Sequence, residues 1–316
     1  MTDISKILRQ YKPNVRDITI RKYANDVMNI AKGIGKFGDE SYEWVYDVDS
    51  VMDYLKDMNV MSRQSRLTGL RVFIQALGGD KEKETLEKYE PHYRTAMDGR
   101  DEHYRSGALT EKQAVHRREY MDIKKDAENI IQRGLQKGAD YTQVRDAKIA
   151  ALYTMQPPLR RDYADMDWIK KSEYSKLSKE ERDGRNWYVR QAVGKAHMVL
   201  NTHKTAKSLG QVIIDVPTPL TKVMDKLIDA KQGQQPILGV SGSKASTRDK
   251  GNRFTAQELT NRIVKILSTT INNLRSVYVT ENVVNKNQVR KDEATARAML
   301  HSTGAQRQFY AKQGTK

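Results

Sequence analysis

The chain has 316 residues, of which 38% are hydrophobic and 30% are charged, and it contains no cysteine. This composition excludes disorder throughout the chain, disulfide bonds, thiolate metal sites and a cysteine nucleophile, while the length favours two domains. The net charge of +16 and the pI of about 9.7 favour a polyanionic partner, DNA or RNA. The physical reason is that lysine and arginine neutralise phosphates and release their counterions.

An anionic membrane surface is the competing partner for so basic a chain. The sequence has no apolar run near about 18 residues and no signal-peptide pattern. We therefore expect no membrane association and an intracellular location with DNA. The six histidines lack the HExxH spacing of a helical zinc site, so we expect no metal and no other cofactor. A magnesium site built only from carboxylates is the alternative that stays open.

The first third of the chain predicts a domain of four helices. Apolar residues recur at steps of three and four over residues 15–36, which is typical of a helix with one buried face. Further helices are predicted over residues 47–58, over residues 62–77 and over residues 81–104. The last of these is highly charged.

Gly33, Gly35 and Gly38 match the GxGxxG pattern of dinucleotide-binding proteins. They follow a helix here, whereas pyrophosphate binding requires a strand, a turn and then a helix. We therefore interpret the three glycines as the end of a helix.

A linker is predicted at residues 105–109, which divides the chain into domains of residues 1–106 and 107–316. Thr110 and Gln113 have the spacing of a capping box, which favours a new helix at this point. The elements predicted after it are two helices, three short strands and a third helix, at residues 110–137, 142–155, 187–193, 196–203, 211–216 and 218–230. The fold class is therefore mainly α with a small β-sheet.

Residues 231–253 are rich in glycine, serine, glutamine and lysine and are predicted to be a mobile loop. A second capping box, Thr255 with Glu258, then opens a helix. The remainder of the chain is predicted to be helical nearly to its end.

Cleavage of a phosphodiester without a metal requires a nucleophilic oxygen, cations for the non-bridging oxygens and a proton donor for the leaving oxygen. Four segments of the second domain carry such groups, at residues 157–163, 201–207, 272–276 and 301–310. Taken singly, each has a simpler interpretation: a surface pair of cations, a solvated turn, an arginine that braces helices and a tyrosine in a tail.

Taken together and in this order, the four segments resemble the tyrosine recombinase (phage-integrase-type) family over residues 110–310. The resemblance is most specific at Leu274-Arg275, which is similar to the HxxR box of the family. It is equally specific from His301-Ser302 to Tyr310, which is similar to the segment that carries the nucleophile. Lys204 stands where the family keeps its catalytic lysine.

The resemblance implies a site-specific recombinase that cuts and rejoins duplex DNA without metal or ATP. Tyr310 would attack the scissile phosphate and form a 3′-phosphotyrosyl link. Arg160 and Arg275 would bind the non-bridging oxygens, His301 would donate a hydrogen bond to the same phosphate, and Lys204 would protonate the 5′ leaving oxygen.

The resemblance also implies an architecture and an assembly. A helical core-binding domain and a catalytic domain would enclose duplex DNA as a C-shaped clamp. Four protomers on two DNA sites would form the recombining homo-oligomer. Six residues follow Tyr310, fewer than in many members, so exchange of a C-terminal helix between protomers is in question.

The chain departs from the family pattern at several positions. The first residue of the HxxR box is Asn272 instead of histidine, and an amide cannot exchange a proton near neutral pH. Arg161 is an alternative to Arg160, Lys207 is an alternative to Lys204, and Leu300 replaces a common glycine. Two further functions stay open: a catalytically impaired DNA-binding or architectural protein with this fold, and a type IB topoisomerase.

Overall fold

A computed structural model describes residues 3–239, 253–284 and 299. The chain forms two compact units, Met1–Ser106 and Gly107–Lys316, each with its own hydrophobic core. It is mainly helical, with one small mixed sheet of five strands. Within the described residues, no helix is both long and apolar enough to cross a membrane.

The first unit is entirely helical among its described residues. Its helices are α1 (Asp3–Tyr11), α2 (Asp17–Gly33), α3 (Val48–Leu55), α4 (Val60–Leu77) and α5 (Asp80–Arg105), with a short 3₁₀ turn at Glu43–Tyr46. The helices start and stop at local signals. The Asn59 side chain accepts the Ser62 amide hydrogen at 2.9 Å and caps α4. Gly78 ends α4 with a φ of 70°, a left-handed conformation that suits glycine.

The glycines of the GxGxxG pattern lie at the end of α2, as the helix-stop interpretation requires, since Gly33 is its last residue and Gly35 and Gly38 follow it. Gly35 and Gly38 have φ angles of 73° and 88°, and the Ile34 amide still donates to Ile30 O at 3.0 Å. These glycines serve the backbone conformation after a helix.

The second unit combines nine helices with the sheet in the described residues. The helices are α6 (Glu111–Val115), α7 (Tyr120–Leu135), α8 (Tyr141–Thr154), α9 (Lys171–Tyr174), α10 (Lys179–Asp183), α11 (Ala206–Leu209), α12 (Thr218–Leu227), α13 (Ala256–Leu267) and α14 (Ile271–Val279). The strands are β1 (Met166–Lys170), β2 (Asn186–Ala192), β3 (Lys195–Leu200), β4 (Val212–Val216) and β5 (Gln235–Pro236). A short π-helical turn, Thr280–Val284, follows α14.

The strands lie in the order β4-β3-β2-β1-β5. β1 and β2 are parallel, and every other neighbouring pair is antiparallel. The three strands predicted from alternation correspond to β2, β3 and β4. The prediction missed β1, because MDWIK is a short and almost wholly buried run without alternation. It also missed β5, which has two residues and lies in the segment predicted to be a loop.

The predicted helix of residues 110–137 was wrong in one respect, since the chain leaves helical geometry between Val115 and Tyr120. Contacts distant in sequence hold this break: His116 O accepts from Thr269 Oγ1 at 2.9 Å, and Arg118 donates to Leu267 O at 2.9 Å. Local periodicity carries no information about such contacts. Both predicted capping boxes, at Thr110 and at Thr255, are confirmed.

The predicted loop of residues 231–253 is described only at its two ends, and residues 240–252 lie outside the described part. Gly239 and Arg253 form an isolated antiparallel bridge. Arg253 also binds Asp167, a β1 carboxylate that is 1% exposed, with both oxygens at 2.6 Å from Nη2. The two ends of the segment are therefore fixed to the sheet.

Candidate active site

The sequence predictions place six residues in the site, and the structure describes four of them. Arg160 lies between α8 and β1, Lys204 lies in the turn between β3 and α11, and Asn272 and Arg275 lie on α14. His301 and Tyr310 lie outside the described residues, so their roles stay predictions.

Arg275 is fully buried and joins two segments of the site. Its Nη1 donates to Pro158 O at 2.6 Å, and its Nη2 donates to Met299 O at 2.9 Å. Pro158 precedes Arg160 by two residues, and Met299 precedes His301 by two residues. Because a guanidinium presents its donors in a rigid plane, α14 fixes the backbone next to both of these predicted site residues.

The Arg160 segment has a second support from α8. The Tyr153 hydroxyl donates to Arg160 O, and the Tyr153 ring packs edge-on against Tyr163 with centroids 5.1 Å apart. The Arg160 side chain is partly exposed, while Arg161 is exposed. The backbone that carries the partly exposed Arg160 side chain is therefore fixed.

Asp162 follows Arg160 by two residues and was not among the predicted site residues. Its Oδ2 is closed to solvent and has no hydrogen-bond partner among the described residues. Burial raises the pKa of this carboxyl, while its own backbone N–H and the positive charges of Arg160, His203 and Arg275 lower it. Asp162 thus lies within electrostatic reach of both predicted arginines and of the residue before Lys204.

The charges that act on Asp162 come from three separate segments of the chain. These are the turn after α8, the turn after β3, and α14. The available sequence signal was an acidic residue two positions after Arg160.

Asn272 and its neighbour Asn273 have opposite surroundings. Asn272 is exposed on the first turn of α14, whereas Asn273 is buried and donates from Nδ2 to Gln113 O at 2.8 Å. Asn273 therefore braces α14 against α6. Asn272 is open to a ligand, although an amide there supplies hydrogen bonds and not acid–base chemistry.

Lys204 has an exposed side chain on a turn whose backbone is firmly held. Asn186 on β2, Asn201 and His203 make the hydrogen bonds that hold it. Lys207, the alternative lysine, is exposed on α11. An exposed ammonium on a fixed backbone is suited to proton donation toward a bound phosphate ester.

Among the residues that the structure describes, no group of three or more histidine, aspartate or glutamate side chains could hold a metal ion. Positive charges act on Asp162, and Asp167 binds Arg185 and Arg253.

Comparison with known proteins finds no family model, no curated protein and no solved structure that matches this chain.

Replacing Asp162 with asparagine is expected to stabilise the protein near neutral pH, by an amount of the order of 1 kcal/mol. Since burial raises the pKa of Asp162 in the folded state, the unfolded chain loses this proton at lower pH. The stability of the wild type therefore falls as pH rises from the unfolded pKa, near about 3.9, to the folded pKa. Urea unfolding between pH 3.5 and pH 7 measures the difference, which should grow with pH.

Asp165→Asn is the matched control, because Asp165 lies in the same 3₁₀ turn but its side chain is exposed. It should show no such pH-dependent gain. A constant or shrinking difference between Asp162→Asn and the wild type would mean that the arginines stabilise the Asp162 charge by more than burial costs it.

Proposed function

We propose that this protein is a site-specific DNA recombinase that cuts and rejoins duplex DNA through a 3′-phosphotyrosyl intermediate. The observation that carries the proposal is that the buried Arg275 hydrogen-bonds the backbone two residues before Arg160 and two residues before His301, while the charges of Arg160 and Arg275 both act on Asp162. These residues come from distant parts of the sequence and have the types that metal-free phosphoryl transfer requires. The net charge of +16 supports duplex DNA as the substrate.

In the proposed reaction, the Tyr310 oxygen attacks the scissile phosphorus and its proton passes to solvent. The bond between phosphorus and the 5′ oxygen breaks, and Lys204 transfers a proton to that oxygen. Arg160 and His301 bind the non-bridging oxygens as negative charge develops. The energy of the broken bond is retained in the phosphotyrosine, so a 5′-hydroxyl from another strand can reverse the step without ATP.

Arg275 has a specific part in this scheme. It holds the segments of Arg160 and His301, and it supplies a positive charge that needs no reorganisation when the phosphate binds. Because Arg275 is fully buried in the free protein, its direct contact with phosphate requires the residues that cover it to move.

Asn272 favours a second candidate function, a DNA-binding or architectural protein of impaired catalysis. Its exposed amide can bind phosphate but cannot accept the proton of the nucleophile. The recombinase proposal includes a homo-oligomer on two DNA sites and a location with DNA in the cell. The architectural alternative requires DNA as its partner and no homo-oligomer.

The experiment uses labelled duplexes from the DNA that flanks the coding sequence, each with a nick that traps the intermediate, in EDTA. We expect a denaturation-resistant protein–DNA adduct from the wild type, none from Tyr310→Phe, and a normal amount from Tyr141→Phe, whose tyrosine is exposed on α8. Adducts from Tyr310→Phe would refute the role of Tyr310. Tight binding of these duplexes without any adduct would favour the architectural protein, and relaxation of supercoils without sequence preference would favour a topoisomerase.

A further inference from the structure

The turn that carries Lys204 is held in place by a buried asparagine of β2. Asn186, which is 1% exposed, accepts at Oδ1 from the Asn201 and Thr202 amides, each at 2.9 Å, and from Thr202 Oγ1 at 3.3 Å. Its Nδ2 donates to Thr202 O at 3.0 Å. One side chain therefore provides hydrogen-bond partners for the backbone N–H and C=O groups where β3 ends and regular strand pairing stops.

His203 holds the other side of the same turn. The ring is 6% exposed, its Nε2 lies 2.9 Å from Gly210 O, and its Nδ1 lies 3.2 Å from Thr205 Oγ1. Since a carbonyl can only accept, Nε2 carries a hydrogen and donates it to Gly210 O, while Nδ1 is hydrogen-bonded to the Thr205 hydroxyl. Both nitrogens have protein partners, so His203 acts on the turn and not on the substrate.

The turn is also tied to the chain that precedes β2. Asn201 Nδ2 donates to Arg182 O at 2.7 Å and to Arg185 O at 2.8 Å, and Asn201 Oδ1 accepts from Gln211 Nε2 at 2.7 Å. Hydrogen bonds thus hold one short turn to β2, to the end of α10 and its connection to β2, and to Gln211 just before β4. Its next side chain, Lys204, is exposed.

So many hydrogen bonds from side chains are more than a solvated turn requires, since surface turns are ordinarily satisfied by water. A proton donor, by contrast, requires this rigidity, because displacement by about 1 Å can cost about 10²-fold in rate. We propose that Asn186 and His203 are positioning residues that place Lys204 for protonation of the 5′ leaving oxygen. This inference rests on the proposed recombinase function.

The electron pair and the proton of this step can both be followed. As the bond between phosphorus and the 5′ oxygen breaks, that oxygen takes the electron pair and one proton from the Lys204 ammonium, which becomes a neutral amine. If sulfur replaces the 5′ oxygen, the leaving group is a thiolate, whose conjugate acid has a pKa near about 8.5, and it departs without a proton. A defect that acts through Lys204 therefore disappears on the sulfur substrate, whereas general damage to the site persists.

The test compares single-turnover adduct formation on ordinary DNA and on DNA with a 5′-bridging sulfur at the scissile phosphate. On ordinary DNA, Lys204→Ala is expected to lose about 10²–10⁴-fold. We expect Asn186→Ala and His203→Asn to lose about 10–100-fold. On the sulfur substrate all three should come within about threefold of the wild type. His203→Gln, whose amide nitrogen can replace Nε2, should retain most activity on both substrates.

Thr221→Val is the matched control, because Thr221 is fully buried in the same unit and its hydroxyl donates to Pro217 O, away from the turn. It should leave the ratio between the two substrates unchanged. Hydrogen exchange of the Asn201 and Thr202 amides gives a readout independent of catalysis, and Asn186→Ala should accelerate both.

Three outcomes would overturn the inference. Asn186→Ala and His203→Asn could match the wild type on ordinary DNA, or their losses could persist on the sulfur substrate, which would make these residues purely structural. Absence of adduct from the wild type on both substrates would instead refute the recombinase function, and the positioning role with it. Faster exchange of the two amides would then show only that Asn186 orders the turn.

Discussion

Replacing Arg275 with lysine is expected to slow covalent adduct formation by about 10²–10³-fold. Lysine keeps the charge, but its ammonium is a point donor and cannot span the carbonyls of Pro158 and Met299 as the Arg275 plane does. The segments next to Arg160 and His301 then lose a common support. A carbonyl left without its donor in the core also costs about 1–3 kcal/mol of stability.

Single-turnover adduct formation at saturating DNA measures this effect separately from binding. Arg262→Lys is the matched control, because Arg262 on α13 also donates through two nitrogens, but to the Asp146 carboxylate and not to the backbone beside Arg160 and His301. It should reduce stability and leave the adduct rate within about threefold of the wild type. If Arg275→Lys also keeps the adduct rate within that range, Arg275 only braces the helices.

Replacing Lys148 with methionine is expected to raise the free energy of unfolding at pH 7 by up to about 3 kcal/mol. Lys148 lies in the middle of α8 and is only 8% exposed, and burial lowers the pKa of its ammonium to about 8. Below pH 8 the folded protein therefore keeps a buried charge at a cost. Methionine has a similar unbranched shape, a good helix propensity and no charge.

The lowered pKa of Lys148 also predicts how the free energy of unfolding depends on pH. In the unfolded chain a lysine stays protonated up to about pH 10.4, whereas the folded protein releases the Lys148 proton near pH 8. The stability of the wild type therefore increases with pH between these values, and the advantage of Lys148→Met shrinks over the same range. Urea unfolding at several pH values from 7 to 10.5 measures it.

Lys125→Met is the control for Lys148→Met, because Lys125 is exposed on α7. A surface substitution of this kind should change stability by about 0.5 kcal/mol or less at every pH. A loss of stability in Lys148→Met at pH 7 would show that the ammonium gains more from its surroundings than burial costs it.

Residue type and order predicted some features of the proposed site and not others. Arg160, Lys204 and Arg275 were selected by type and order alone, and in the structure Arg275 hydrogen-bonds the backbone of Pro158, two residues before Arg160. Residue order did not predict that Arg275 would be fully enclosed between Pro158 and Met299, because burial depends on segments more than 20 residues away. Tyr310 and His301 rest on the sequence alone.

The sequence by itself determined the features that depend on near neighbours. Capping boxes at Thr110 and Thr255, glycine stops and the alternation of β2, β3 and β4 arise from contacts a few residues apart, so their signals are local. Only the tertiary structure decided the break before Tyr120, the addition of β1 and β5 to the sheet, and the parts played by Asp162, Asn186 and His203. The physical reason is the same in each case: partners distant in sequence supply the hydrogen bonds and the burial, and no local pattern records them.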